Sequence, residues 1–360
     1  MANRPDSILV VTVGAQLREQ CKAVVERLSN EANYKGTYLA ALPEASKRRQ
    51  VAHAVRRVRT AVVVLADDHV FWPQRFLPSV LAPLNDPSVG MVATKKRVRR
   101  PTPGSWSWSS IVNFIASNYL QRHNWELRAS NSIDGGVFVI SGRTAVYRTE
   151  FINDTDLMER FCSEKFFFGQ LGGTGLGPDD DNFLTREAMK EHWRIFFQDS
   201  EEATIETTLG EWPKFGEQLL RWARTTFRSN LVMLRDPHFL LTYTWSAFMV
   251  YWAALANFTL LWDTALIFSL VSMENVQPYQ IALLCVWIAW TKVIKILPHF
   301  FRYPSDIPLV IFQIMFGYIH SFYKLWALLT FWDCGWSGRN LDDVNANQQA
   351  EPLDTKFQYL

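Results

Sequence analysis

Residues 216–222 read Gly-Glu-Gln-Leu-Leu-Arg-Trp, just ahead of the first long apolar segment. In a helix, Gln218, Arg221 and Trp222 fall at i, i+3 and i+4, so an amide, a guanidinium and an indole share one face. That face suits a phosphate and a sugar. Upstream, residues 62–66 read as a buried strand ending in Asp67, Asp68 and His69. Ligand sites in open parallel sheets lie at the carboxyl ends of strands. Asp67 and His69 are two apart and can point to one side, holding a divalent cation against a diphosphate. An oxygen-plus-imidazole set admits Mn²⁺ or Mg²⁺, with the imidazole tilting the choice toward Mn²⁺; the plainer alternative is a capped, solvated strand end. A third cluster, Asp179, Asp180 and Asp181, precedes a helix-like run. Acids there complement a helix dipole. Equally, one of them can deprotonate an acceptor hydroxyl, because crowding by like charge raises its proton affinity.

The elements that must position these groups alternate along the first half. Apolar runs at 8–13, 38–42 and 61–66 are separated by amphipathic stretches at 16–29 and 48–58. That order predicts βαβ units, an α/β fold and a parallel sheet. The chain begins almost at a strand, and the expectation is that an upstream strand with an acidic nucleotide contact is missing. Lys47, Arg48 and Arg49 form a short basic run that reads as a solvated helix start or a nucleotide contact. Residues 169–177 are Gly-rich but lack phosphate-loop spacing, and read as a flexible loop. Ser130 to Gly136, which contains Asp134, reads as a polar turn entering a strand at 137–141 that ends in Ser141.

The 37 basic and 35 acidic side chains nearly cancel, which gives no case for a nucleic-acid partner. Four cysteines without CxxC pairing argue against a disulfide scaffold and place the first half in a reducing cytosol. Residues 236–332 are dominated by Leu, Ile, Phe, Trp and Val, and three stretches, 241–271, 279–297 and 307–332, are long enough to span a bilayer. Arg221, Arg224, Arg228 and Arg235 precede the first, and Lys292, Lys295, His299 and Arg302 lie between the second and third. The positive-inside rule then places the 298–306 turn in the cytosol and the start of the tail outside. Lys292, Lys295, His320 and Lys324 sit at or within the spans, where inner charges face a polar path or a partner helix. Residues 340–360 are polar and read as disordered.

In order, these pieces resemble the processive family 2 glycosyltransferases, the hyaluronan, chitin and cellulose synthases, and most of all the fungal type 2 glycosyltransferases of cell-surface polysaccharide. Lys47-Arg48-Arg49 stands at the family's basic uridine-side motif, Asp67-Asp68-His69 at its DxD motif, and Asp134-Gly135-Gly136 to Ser141-Gly142-Arg143 at its acceptor-side strand. Asp180-Asp181 stands at its acidic pair and Gln218 to Trp222 at QxxRW. The resemblance implies a Rossmann-like GT-A domain at 1–210 with its N-terminal strand missing, an interfacial helix at 211–237, a transmembrane helix bundle at 238–332 and a polar tail at 333–360. It implies Asp181 as base with Asp180 beside it. Lys47, Arg48, Asp67, Asp68, Gln218 and Arg221 would contact a UDP-sugar, Asp67 and His69 would hold Mn²⁺ or Mg²⁺, and Trp222, Asp134 and Ser141 would face a polysaccharide acceptor. Such a protein is multi-pass in the lipid bilayer of the plasma membrane.

Overall fold

The computed structural model describes residues 3–167, 169–171, 176–335 and 355–360. The first five elements follow the hydrophobic pattern: strand β1 (Ile8–Val13), helix α1 (Gly14–Glu31), β2 (Thr37–Leu42), helix α2 (Lys47–Val55) and β3 (Val62–Ala66). β-branched runs favour β1 and β3, and α2 starts where the Ser46 hydroxyl accepts from the Arg49 amide. β1 and β2 pair in parallel, as a crossover helix demands. The remaining strands are β4 (Val70–Phe71), β5 (Val89–Thr94), β6 (Lys96–Val98), β7 (Thr144–Arg148), β8 (Arg194–Gln198) and β9 (Ile205–Thr207).

The sheet is mixed, not wholly parallel. β7 runs antiparallel between β3 and β5, and β5 pairs in parallel with β8, giving the order β3-β7-β5-β8; β4-β9-β6 form a separate small sheet. The chain reverses between β6 and β7 through the long helix α3 (Trp108–Asp134). Residues 137–141, expected as a strand, are irregular. Nearby amides bond side chains of helix α4 (Asp180–Lys190) instead: Ile140 donates to Thr185 Oγ1 at 2.9 Å and Gly142 to Asp181 Oδ2 at 3.0 Å. Met91, Ala145, Tyr147, Phe161 and Leu184 close the core, each no more than 1% exposed.

Helix α5 (Lys214–Met233) leads into the apolar half. There α6 (Thr244–Ala256) and α7 (Thr259–Val271) meet at 85°. Next come α8 (Pro278–Val293), continued by short helical turns to Arg302, and α9 (Val310–Leu328). Among the described residues, one helix, Pro278–Arg302, is long and apolar enough to cross a bilayer, and the bent pair would make a second.

The third expected span does not lead away from the α/β half. After α9, Arg228 Nη1 donates to the carbonyls of Phe331 at 2.7 Å and Asp333 at 2.9 Å. α9 buries Gln313, Phe316, Ser321, Lys324 and Ala327. Hydropathy counts apolar residues without seeing that they share a face with buried polar ones. The segment at 331–333 therefore packs against α5 and, through Arg228, beside Asp179. Residues 336–354 lie outside the described ones, but Gln358–Tyr359, expected to be disordered, form strand β10 antiparallel to β2, with the Tyr359 ring 5.4 Å from that of Tyr38. Of the charges at or within the expected spans, Lys292 pairs with Asp263, Lys295 Nζ lies 3.1 Å from Glu126 Oε1, and Lys324 Nζ donates to the Asn257 carbonyl at 2.6 Å, while the buried His320 Nε2 has no hydrogen-bond partner among the described residues. All four cysteines are free.

Just before α9, Asp306 ties the two halves together. Its carboxylate accepts from Arg100 Nε and Nη2, both at 2.8 Å, from the Gly104 amide at 2.7 Å and from His299 Nε2 at 2.7 Å. Neither the Arg100 nor the Asp306 side chain is exposed at all. Removing one partner of such a pair strands the other charge in a dry site. Asp306→Ala is expected to destabilise the fold by about 3–5 kcal/mol in urea unfolding, and the double change Arg100→Met with Asp306→Leu to recover most of that loss.

Candidate active site

One cleft of ≈ 2000 Å³ runs from β1, past the ends of β3 and α4, to α3, α5 and α9. It gathers Lys47, Asp67, Asp68, His69, Ser141, Asp180, Asp181, Gln218, Arg221 and Trp222 on its walls. Arg48 and Asp134, expected among the ligand contacts, are not there. Successive residues on a helix diverge by about 100°, so while Lys47 faces the cleft, Arg48 turns inward. Only 1% exposed, Arg48 donates to the carbonyls of Phe161 and Pro178, both at 2.8 Å, and pairs with Glu164 at 2.8 Å. Asp134 ends α3 and accepts from the Ser246 amide at 2.8 Å and hydroxyl at 2.7 Å, anchoring α6. Its place is structural.

Lys47 is the hub. Its ammonium lies 3.2 Å from Asp67 Oδ1 and 3.1 Å from Asp180 Oδ2, joining the end of β3 to the start of α4. Burial alone would lower the Lys47 pKa, but Asp180, Asp67 and Asp181 together hold it above its ordinary value. Gly142 permits this approach, since a Cβ there would stand 3.1 Å from Lys47 Nζ.

The two neighbouring acids are driven apart. Burial opposes ionisation of Asp180, yet Lys47 and Arg48 hold it below the usual carboxylate range. Burial and the negative Asp180 push Asp181 up to about 6, while Lys47 and the Gly142 amide pull the other way. A carboxylate pair split in this way suits a division between charge stabiliser and proton acceptor. Asp179 has a different task. In the left-handed region at φ 64°, its buried side chain accepts from Arg228 Nε at 2.9 Å and from Thr225 Oγ1 at 2.5 Å, clamping the acidic turn to α5.

Asp67 and His69 both reach the cleft, but His69 Nδ1 lies 3.0 Å from Asp68 Oδ1, on the exposed side. Among the described residues no group of three or more His, Cys, Asp or Glu converges as a metal cage. The donor types still fit Mn²⁺ or Mg²⁺ bound by one or two side chains, the remaining ligands coming from phosphate oxygens.

On α5, Gln218, Arg221 and Trp222 do share the cleft face. Trp222 stacks on Tyr119 at 5.6 Å, and the Arg143 guanidinium lies 5.3 Å from the Trp222 ring centre. Ser141 lines the cleft beside it, its hydroxyl 3.4 Å from Arg143 Nη1. Sequence reasoning passed over Tyr119, Arg122, His123 and Glu126, all of which line the cleft from α3. Their spacing of i, i+3, i+4 and i+7 is a polar stripe on one helix face, a legible signal. Lys96 was hidden within a basic run that reads as surface.

Residues 1–225 match the family described as glycosyltransferase like family 2. The chain is 34% identical over 348 residues to a type 2 glycosyltransferase of Zymoseptoria tritici, covering 94% of this chain and 70% of that one. It is 33% identical over 359 residues to a type 2 glycosyltransferase of Gibberella zeae, covering 98% of this chain and 66% of that one. An NDP-glycosyltransferase of Aspergillus luteorubrus is 28% identical over 249 residues, 65% of this chain and 56% of that one. With this match added to a mixed α/β domain whose cleft holds a split carboxylate pair, the chain belongs to the glycosyltransferase like family 2 and is a glycosyltransferase.

Proposed function

We propose that this chain moves a sugar from a UDP-sugar onto a growing polysaccharide at the cytosolic face of the plasma membrane, inverting the anomeric centre. One observation carries the reading: Asp181, with its proton affinity raised, opens onto the same cleft as Lys47, Asp67, Arg221 and Trp222. Asp181 takes the proton of an acceptor hydroxyl. The freed oxygen attacks the anomeric carbon from the face opposite the diphosphate, the bond to the diphosphate breaks, and UDP leaves. Lys47 and Arg221 stabilise the charge that builds on the leaving group, and Trp222 carries the acceptor ring. Asp67 and His69 are the residues that would hold Mn²⁺ or Mg²⁺, which when bound supplies further positive charge to the diphosphate.

The apolar half supports the membrane part of the proposal. Leu261, Phe268, Leu283, Val286 and Trp287 on α7 and α8 are 62–72% exposed, a surface suited to lipid. The cleft continues past Asp181 to Met249, Ala253, Asn257 and Lys324, a path along which a polymer could leave toward the bilayer. Transfer of one sugar to a lipid is the competing reading, and product length separates the two. A ladder of products supports chain extension, and a single glycolipid overturns it.

Asp181→Asn keeps an oxygen for the Gly142 amide while removing the base, so transfer from UDP-sugars is expected to fall about 10²- to 10⁴-fold with the fold intact. Unchanged turnover would remove Asp181 from the mechanism. Because the base must be ionised, kcat/KM should climb as pH rises toward about 6 and level off above it. A profile flat from pH about 5 to 7 contradicts that role. Trp222→Ala should impair elongation more than donor hydrolysis, whereas equal loss of both would reduce Trp222 to a support for Tyr119.

A further inference from the structure

Three groups in the cleft, Lys96, His123 and Arg143, are left over by the proposed transfer. Lys96 is 2% exposed, and its Nζ lies 2.9 Å from His123 Nδ1. Arg143 sets one nitrogen 3.4 Å from the Ser141 hydroxyl and leaves its buried Nε without a hydrogen-bond partner. Among the described residues neither cation forms a salt bridge within 4.0 Å. Buried cations are ordinarily paired, because an unpaired charge in a low-dielectric site is costly. The strain registers on Lys96: burial, reinforced by Arg143 and opposed by Asp181, pushes its pKa down to about 7. Burial and the charge of Lys96 likewise hold His123 well below its ordinary value, so its ring is neutral. With Nδ1 accepting from Lys96, the His123 Nε2–H becomes a donor.

We infer that Lys96, His123 and Arg143 form a subsite for the carboxylate of an acidic sugar in the acceptor. An ammonium, a neutral imidazole N–H and a guanidinium together match a carboxylate with donors and compensate its charge. Arg143 lies 5.3 Å from the ring centre of Trp222, and Trp222 stacks on Tyr119, so the anion would be carried by a ring seated on that aromatic shelf. Lys47 and Arg221 meet the charge of the diphosphate, and the subsite adjoins that end of the cleft, the Arg143 carbonyl accepting from the Asp67 amide at 2.9 Å. The inference rests on the transferase reading above and names the class of its acceptor: a polysaccharide containing uronic acid.

Binding to the full chain in detergent tests it without requiring turnover. The probes are a tetrasaccharide alternating N-acetylglucosamine and glucuronic acid, chitotetraose as its neutral counterpart, UDP, and farnesyl phosphate. The acidic tetrasaccharide is expected to bind at least about tenfold more tightly than chitotetraose. Lys96→Met and Arg143→Gln should each abolish that preference, and Lys96→Arg should restore most of it. Equal affinity for the two tetrasaccharides overturns the subsite, as does a preference that survives both replacements. Loss of UDP affinity with the tetrasaccharide preference intact would assign the cations to the donor diphosphate. Tighter binding of farnesyl phosphate than of the acidic tetrasaccharide would assign them to a lipid phosphate. Release of UDP from UDP-sugars by the unaltered chain reads the transferase assignment separately.

Discussion

The catalytic geometry depends on two buried arginines that grip the acidic turn at adjacent residues. Arg48 takes the carbonyl of Pro178, and Arg228 takes the carboxylate of Asp179 at 2.9 Å. They are the largest fully buried side chains of the described residues. Arg228 also holds the carbonyls of Phe331 and Asp333, so a single guanidinium fixes the acidic turn, α5 and the segment after α9 relative to one another. Buried ion pairs of this kind gain little net stability, because desolvation offsets attraction; what they confer is a defined arrangement. Here that arrangement sets Asp180 and Asp181 facing the Gln218–Arg221–Trp222 face across one cleft.

With the turn held, the chemistry follows from differences between neighbours. Asp180 and Asp181 are adjacent in sequence, yet only Asp180 meets Lys47 at 3.1 Å, whereas Asp181 receives the Gly142 amide at 3.0 Å. An ammonium favours the ionised form far more than one amide does, so the two carboxylates separate in proton affinity. The same ammonium reaches Asp67 at 3.2 Å and so couples the donor end of the cleft to the acidic pair.

The apolar half is organised by contact with the α/β half, not by length alone. Asp306 and Arg100 close one connection, Arg228 closes another, and α9 lies between them with its polar residues inward. All three apolar segments leave large apolar side chains exposed, Phe268, Val286 and Phe322 among them, but α9 is also tied down at both ends. Gln358–Tyr359 complete the picture by extending the first sheet beside β2.

Periodicity and punctuation placed β1, α1, β2, α2 and β3 within a few residues, because strand and helix patterns there are set by local burial. The QxxRW face was equally legible, since i, i+3 and i+4 spacing on a helix is geometry that sequence determines by itself. The types of the acidic and basic groups were visible too. Which of them meet was not. Lys47 and Arg48 are neighbours in an undivided basic run, and only packing of α2 against the core sends one to the cleft and the other inside. Asp134 looked like its fellow acids until α6 folded back onto it. Lys96, His123 and Arg143 come from a strand, a helix and a loop distant in sequence, so no spacing rule links them. Sequence alone determined the chemical inventory and the local elements; pairing, burial and proton affinity depend on long-range contacts, and those only the tertiary structure decided.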